Sequence, residues 1–257
     1  MLKLTLGYST MAQRVGNLVP PPVHKDWEVA VIIQNPENMA WRGAGLAELM
    51  LRDDLEIQEL TSIGVAKSRN RAIWLAKGEY LVFSDDDIKF DVSGLETAIE
   101  YLDQHPQYSL LLAQATDETG VLRKRYPKGV RKLNRFNSAR AATYEMIVRV
   151  ESIRQLGVWF DEEFGAGANN YLGDEYIFIV DLMKAGGKAV FAPITIASHP
   201  NDSSGARWGS ERDRQARAKV FSRVFGKLAP VVRAGFGARR LKQLGSLKNY
   251  LLFILGR

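Results

Sequence analysis

The sequence predicts an α/β fold: a mostly parallel, doubly wound sheet flanked by helices. Three observations carry that expectation. Short β-branched-rich apolar runs alternate with segments of helical periodicity through the first 117 residues. Such alternation implies parallel strands joined by right-handed crossovers. The chain has 257 residues and a 46% hydrophobic fraction, enough for one substantial core. Finally, the apolar run LVFSDDDIKF breaks into three aspartates, Asp85 to Asp87. That places negative charge at the carboxyl end of a strand, where doubly wound sheets hold their ligands.

The elements follow in order. KLTLGYS and WEVAVIIQ read as buried strands, separated by a connection that carries the rigid Pro20–Pro22 run. LEIQELTS is the third strand. After Gly64, the segment VAKSRNRAIWLAKG sets Val65, Ala72, Ile73, Leu75 and Ala76 at helical spacing, with Gly78 as a stop. EYLVFS is the next strand, GLETAIEYLDQHP a helix closed by Pro106, and YSLLLAQAT a returning strand. Beyond Asp117 the pattern is mixed. VLRKRYP and ARAATYEMIVRV resemble strands and VESIRQLG a short helix. The glycine-rich FGAGANNYLGDE leads into the helix EYIFIVDLMKAGG, and KAVFAPITIASHP reads as one or two short strands.

Charge divides the chain. From Gly205 onward there are 13 Lys/Arg against 2 Asp/Glu, leaving 22 against 27 in the first 204 residues. A mildly acidic body with a strongly basic tail suggests chemistry in the first and an anionic partner for the second. The absence of cysteine excludes disulfides, thiolate metal sites and a cysteine nucleophile. The opening MLKLTLGYSTMAQR has too short an apolar run for a secretory signal, so a cytoplasmic location is expected.

Three adjacent carboxylates repel one another unless something positive is held there. A solvated acidic turn is the simplest account. A second is that alternate aspartates in an extended turn, Asp85 and Asp87, share a hard divalent cation, for which oxygen ligands are suited. In the latter form the residues resemble the DXD motif of the GT-A glycosyltransferases. The surrounding GVAKSRNRAIWLAKGEYLVFSDDDI resembles the nucleotide-sugar half of the inverting family 2, with Gly64, Arg69-Asn70 and Ala76 to Tyr80 at that family's positions. Further on, GDEYIFIVDLMKAG resembles the segment in which two acids open a helix that ends in Ala-Gly, and YEMIVRVESIRQLGVWFDEEF the approach to the acceptor site. The likeness runs from about Lys3 to Pro200.

That resemblance implies a GT-A, Rossmann-like sheet over residues 1–204, with a nucleotide-sugar half to about 117 and an acceptor half from about 118. A basic helical extension, 205–257, follows. It implies a metal-dependent inverting glycosyltransferase that uses Mn²⁺ or Mg²⁺, a UDP-sugar as donor and a glycan or lipid-linked acceptor, of the kind found in polysaccharide biosynthesis. Glu175 is the expected catalytic base and Asp174 its partner, though two acids also simply favour a helix N-terminus. Asp87, Asp85 and His199 are the expected metal ligands. A lone histidine is also commonly structural. Ser9, Thr10, Gln34, Lys67, Arg69, Arg71, Asp85 and Asp86 are the expected nucleotide-sugar contacts, although Lys67 and Arg71 also suit a solvated basic face.

There are departures from the family pattern. VIIQNPE offers Gln34 and Asn35 where an aspartate often reads uracil, Ser84 fills the first place of an Asp-x-Asp-Asp pattern, and Asp174-Glu175 reverses the usual order. NDSSGARWGS, with Arg207 and Trp208, is expected as a lid. Two other readings stand beside this one. A sugar-phosphate nucleotidyltransferase would need a glycine-rich N-terminal loop that LGYSTMAQRVGN does not supply. A nucleic-acid-binding protein would use the basic tail but shows no recognisable module. The tail also carries an apolar stripe, Leu241, Leu244, Leu247, Leu251, Ile254 and Leu255, beside Arg239, Arg240, Lys242 and Lys248. It is expected at an anionic inner membrane surface. In the preceding segment, Val220, Phe221, Val224, Phe225 and Leu228 share a face that can pack on the body instead.

Overall fold

The computed structural model describes residues 2–41, 47–200 and 210–257. The strands among them are β1 (Leu4–Met11), β2 (Trp27–Gln34), β3 (Leu55–Leu60), β4 (Tyr80–Asp85), β5 (Lys89–Phe90), β6 (Leu110–Thr116), β7 (Arg131–Lys132), β8 (Met146–Arg149) and β9 (Ala189–Ser198). The helices are α1 (Ala47–Met50), α2 (Val65–Leu75), α3 (Val92–Gln104), α4 (Val150–Gln155), α5 (Asp174–Lys184), α6 (Glu211–Phe225), α7 (Ala229–Ala238), α8 (Leu241–Leu244) and α9 (Leu247–Leu255). The strands form one sheet in the order β3-β2-β1-β4-β8-β6-β9-β5, with β7 paired to β9.

From β3 to β4 every pairing is parallel, while β8 runs antiparallel to both β4 and β6. The fold is therefore the mixed, mostly parallel α/β sheet that the sequence predicts. β1 lies between β2 and β4, so the strand order reverses there and opens a crevice at the carboxyl ends of β1 and β4. Register puts Ser9 beside Asp85 at that edge.

Alternation along the strands loads both faces. Leu4, Leu6 and Tyr8 of β1 and Tyr80 and Val82 of β4 pack under α3 through Leu95, Ala98 and Leu102. Leu81 and Phe83 point the other way, against Ala72 and Ile73 of α2 and Phe178 and Leu182 of α5. KAVFAPITIAS is one strand rather than two. Its pairing with β6 slips around Leu112–Gln114, opposite the stretch holding Pro193, a residue that cannot donate to the ladder.

VLRKRYP is not a strand. Within it Lys124 and Tyr126 turn inward to bind the fully buried Glu145, which holds the segment as a loop. ARAATYEMIVRV yields only the four-residue β8, preceded by a 3-10 turn at Thr143–Glu145. The segment NDSSGARWGS, with Arg207 and Trp208, lies outside the described residues except for Ser210, which caps α6. That helix packs Val220, Val224 and Phe225 against Tyr176, Ile177 and Val180 of α5. The first part of the basic extension thus closes over the helix that carries the paired acids. Gly173, at φ 93° just before α5, lies against Val220 so closely that a Cβ would approach its side chain to 2.5 Å.

Candidate active site

The three aspartates at the end of β4 diverge, and each meets a different partner. Asp86 turns inward and is buried, accepting a 2.7 Å hydrogen bond from the Thr10 hydroxyl and pairing with Arg14. Burial, opposed by the Thr10 bond and the Arg14 charge, pushes its pKa above the ordinary carboxylate value. Asp85 lies 3.3 Å from the Arg69 guanidinium. Asp87 lies 3.6 Å from Arg14 on one oxygen and 3.6 Å from His199 Nε2 on the other. The mutual repulsion expected from the sequence is relieved by separation and by two arginines.

Arg69 joins this turn to the paired acids. It sits in the first turns of α2, 4% exposed, and forms an ion pair with Asp174, itself 3% exposed, at the start of α5. Burial alone would lower the Arg69 pKa, but Asp174, Asp85 and Glu175 together raise it. The guanidinium also lies over the Phe160 ring, 5.6 Å from its centroid. Gly165 makes the close approach possible. At φ 95° it favours glycine, and a Cβ there would stand 2.8 Å from Asp174 Cγ.

Asp174 is thereby committed, and Glu175 is the carboxylate with proton-accepting capacity to spare. Its Oε1 accepts a 3.0 Å bond from the Thr143 hydroxyl. Burial and the neighbouring Asp174 charge, opposed by Arg69, raise its pKa to about 7. A carboxylate so placed is suited to take a proton near neutral pH.

His199 is held from several sides. Its ring stacks on Tyr144 with centroids 5.0 Å apart, its backbone N–H donates to Thr116 at 3.1 Å, and Arg123 bonds its carbonyl at 2.9 Å. Nδ1 donates to the Pro200 carbonyl, so that in the neutral imidazole Nε2 is an acceptor facing Asp87 Oδ1. That oxygen is buried and without a hydrogen-bond partner among the described residues. With the imidazole neutral, the two are electron-pair donors that fit a cation between them. Among the described residues no group of three such side chains is close enough to hold a metal alone.

The other expected contacts divide. Thr10 reaches the acidic turn through Asp86, and Ser9 is buried beside it, its hydroxyl without a hydrogen-bond partner among the described residues. Gln34 Oε1 accepts from Gly64 N at 2.7 Å, tying the end of β2 to the start of α2. Asn35 is bound to Met39 and Glu59, and Asn70 bonds Phe160 in both directions. Lys67 makes no ion pair with the described residues. Arg71 bonds Gln58 at 2.7 Å and stacks on Trp74, so its partners lie on β3 and α2 rather than in the acidic turn.

Sequence reasoning missed Arg14, Thr143 and the pairing of half-buried Lys124 with fully buried Glu145, 2.6 Å apart. Burial, opposed by Glu145, holds the Lys124 pKa below the usual lysine value. Arg14 was detectable in principle as a cation three residues past β1. The other three lie in or just after an irregular loop, where periodicity carries no signal.

An acidic turn at the switch point of an open α/β sheet, bridged by a buried arginine to a second acidic pair, lies where proteins of the doubly wound α/β class hold their ligands. Residues 51–156 match the sequence model of Glycosyl transferase family 2, a span that runs from just before β3 to just past α4. No curated protein matches the sequence. Among solved structures, S. aureus TarS 1-349 in complex with UDP-GlcNAc superposes with a TM-score of 0.63 at 14% identity, covering 98% of this chain and 82% of that one. The same protein in complex with UDP gives 0.60 at 15% identity, over 94% and 72%. A longer S. aureus TarS chain gives 0.57 at 16% identity, over 88% of this chain but only 44% of its own length. At these identities the likeness is one of fold. Together with the matched segment it makes this chain a glycosyltransferase of the GT-A fold.

Proposed function

We propose that the protein transfers a sugar from a UDP-sugar to a hydroxyl of a saccharide or lipid-linked acceptor, with inversion at the anomeric carbon. The observation that carries this reading is the contrast between the paired acids. Asp174 is neutralised by Arg69, while Glu175 keeps a raised pKa and a hydroxyl-bearing neighbour in Thr143. Glu175 takes the proton of the acceptor hydroxyl as that oxygen bonds to the anomeric carbon. The bond from that carbon to the diphosphate oxygen breaks, and the nucleoside diphosphate leaves with the electron pair. One displacement inverts the centre.

Arg69 ties Asp174 to Asp85 of the acidic turn. Asp87 and His199 are the residues that would hold Mn²⁺ or Mg²⁺, whereas Asp85, expected as a third ligand, is paired with Arg69 instead; the remaining ligands would come from diphosphate and water. Such a cation, when bound, supplies charge neutralisation to the leaving diphosphate. Support for uridine comes from TarS, crystallised with UDP-GlcNAc and with UDP.

A thermal-shift screen of UDP-, GDP- and dTDP-sugars, with and without Mn²⁺, tests the donor. Ligands that bind only the folded state raise its melting temperature by mass action. The expected result is a shift with a UDP-sugar that grows when Mn²⁺ is added. No shift with any of them overturns the reading.

A further inference from the structure

We infer that the C-terminal helical layer is a docking surface for an anionic lipid bilayer, seated through the outer face of α9. Leu247, Leu251 and Leu255 are 65%, 52% and 69% exposed. Spaced four apart, they form one stripe along the helix, opposite the fully buried Phe253. The stripe departs from the sequence expectation in two members: Leu244 is buried and Ile254 is half-buried, so only one edge of the apolar run faces outward.

This edge is presented rigidly. Arg233 of α7 donates to the Ile254 carbonyl at 3.0 Å, Arg214 of α6 to the Arg257 carbonyl at 3.0 Å, and Tyr250 to the Ala234 carbonyl at 3.0 Å. Buried arginines thus satisfy carbonyls at the end of α9 that would otherwise lack partners. The outward leucines have no such counterpart among the described residues.

Charge selects the occupant. From Arg214 to Arg257 the chain holds 11 Lys/Arg and no Asp/Glu, of which Arg214, Arg217 and Arg233 are buried and Arg223 is paired with Asp161 and Asp181. Lys248 flanks the stripe, and Arg239, Arg240 and Lys242 are exposed on the approach to it, as is Leu241. Two copies of this face would oppose like charge to like, which disfavours a second copy of the chain as its cover. A nucleic acid would satisfy the cations and leave the leucines in water. An anionic bilayer satisfies both, taking the leucines at the level of the headgroups while lipid phosphates meet the cations. The inference stands apart from the identity of donor or acceptor.

The experiment is co-sedimentation of the full chain with phosphatidylcholine vesicles and with vesicles of phosphatidylcholine and phosphatidylglycerol, at low and high salt. The full chain is expected to pellet with the anionic vesicles alone, and less so at high salt. Leu251→Glu with Leu255→Glu is expected to weaken that binding by about tenfold or more. Because both side chains are outward, the melting temperature and the shift produced by the donor are expected to stay unchanged. Indifference to anionic vesicles at low salt, or equal binding by the double variant, overturns the inference. So does sedimentation-velocity evidence that the same leucines mediate a dimer, or a gel shift with duplex DNA in a protein that ignores vesicles.

Discussion

Replacing Glu175 by glutamine separates stability from activity at a single atom. An ordinary glutamate titrates near 4.5, whereas burial and the Asp174 charge bring Glu175 to about 7. A carboxyl whose pKa is raised on folding contributes stability below its unfolded value and loses it as pH rises through the folded value. Each pH unit is worth about 1.4 kcal/mol, so above pH 7 the folded protein carries a penalty on the order of 3 kcal/mol. Glutamine keeps the shape, and its carbonyl can still accept the Thr143 bond, but it does not ionise. The variant is therefore expected to exceed the parent in stability at pH 8, by about 1–3 kcal/mol, and to match it near pH 4.5. Turnover is expected to fall at least about 100-fold, while parental turnover rises with pH through about 7. Urea denaturation at both pH values, alongside nucleoside diphosphate release, reads the two effects. Wild-type turnover in the variant, or a stability difference that does not change with pH, would refute the reasoning. Loss of turnover in Asp174→Asn with survival in Glu175→Gln would move the base to the other acid.

Asp87→Ala is expected to abolish cation-dependent donor binding in calorimetry while leaving the metal-free melting temperature nearly unchanged, because relief of repulsion from Asp85 and Asp86 offsets the loss of its long 3.6 Å contacts with Arg14 and His199. Unchanged Mn²⁺ dependence would remove Asp87 from the site. Arg69→Ala leaves Asp174 buried without its counter-charge, so it is expected to cost about 3–5 kcal/mol in chemical denaturation. Because Arg69 also holds the Glu175 pKa down, any residual activity is expected to need higher pH. Gly165→Ala puts a Cβ at φ 95° and 2.8 Å from the Asp174 carboxyl carbon. The expected loss is about 1–3 kcal/mol together with reduced turnover, read by thermal melts and product release.

The sequence by itself determined the sheet and the places of its charged motifs. Alternating runs such as KLTLGYS and EYLVFS must be buried strands, and glycine-bounded helical repeats must cross between them, so Ser84–Asp87 had to emerge at a strand end. The pair Asp174–Glu175 at a helix start was equally legible, because local order carries it. Only the tertiary structure decided which partner each of those acids meets. Arg69 and Asp174 are 105 residues apart in the chain, and their pairing, which leaves Glu175 with the raised pKa, depends on how α2 and α5 approach across Gly165. The facing of Asp87 and His199, the capture of Asp86 by Arg14, and the inward turn of Lys124 onto Glu145 have the same origin. Periodicity reports which side of an element is buried, not which distant charge it will meet. The tail shows the limit most plainly. Its apolar residues were visible as a stripe, but the packing of α6, α7 and α9 decided that Leu244 and Phe253 go inward while Leu247, Leu251 and Leu255 stay out.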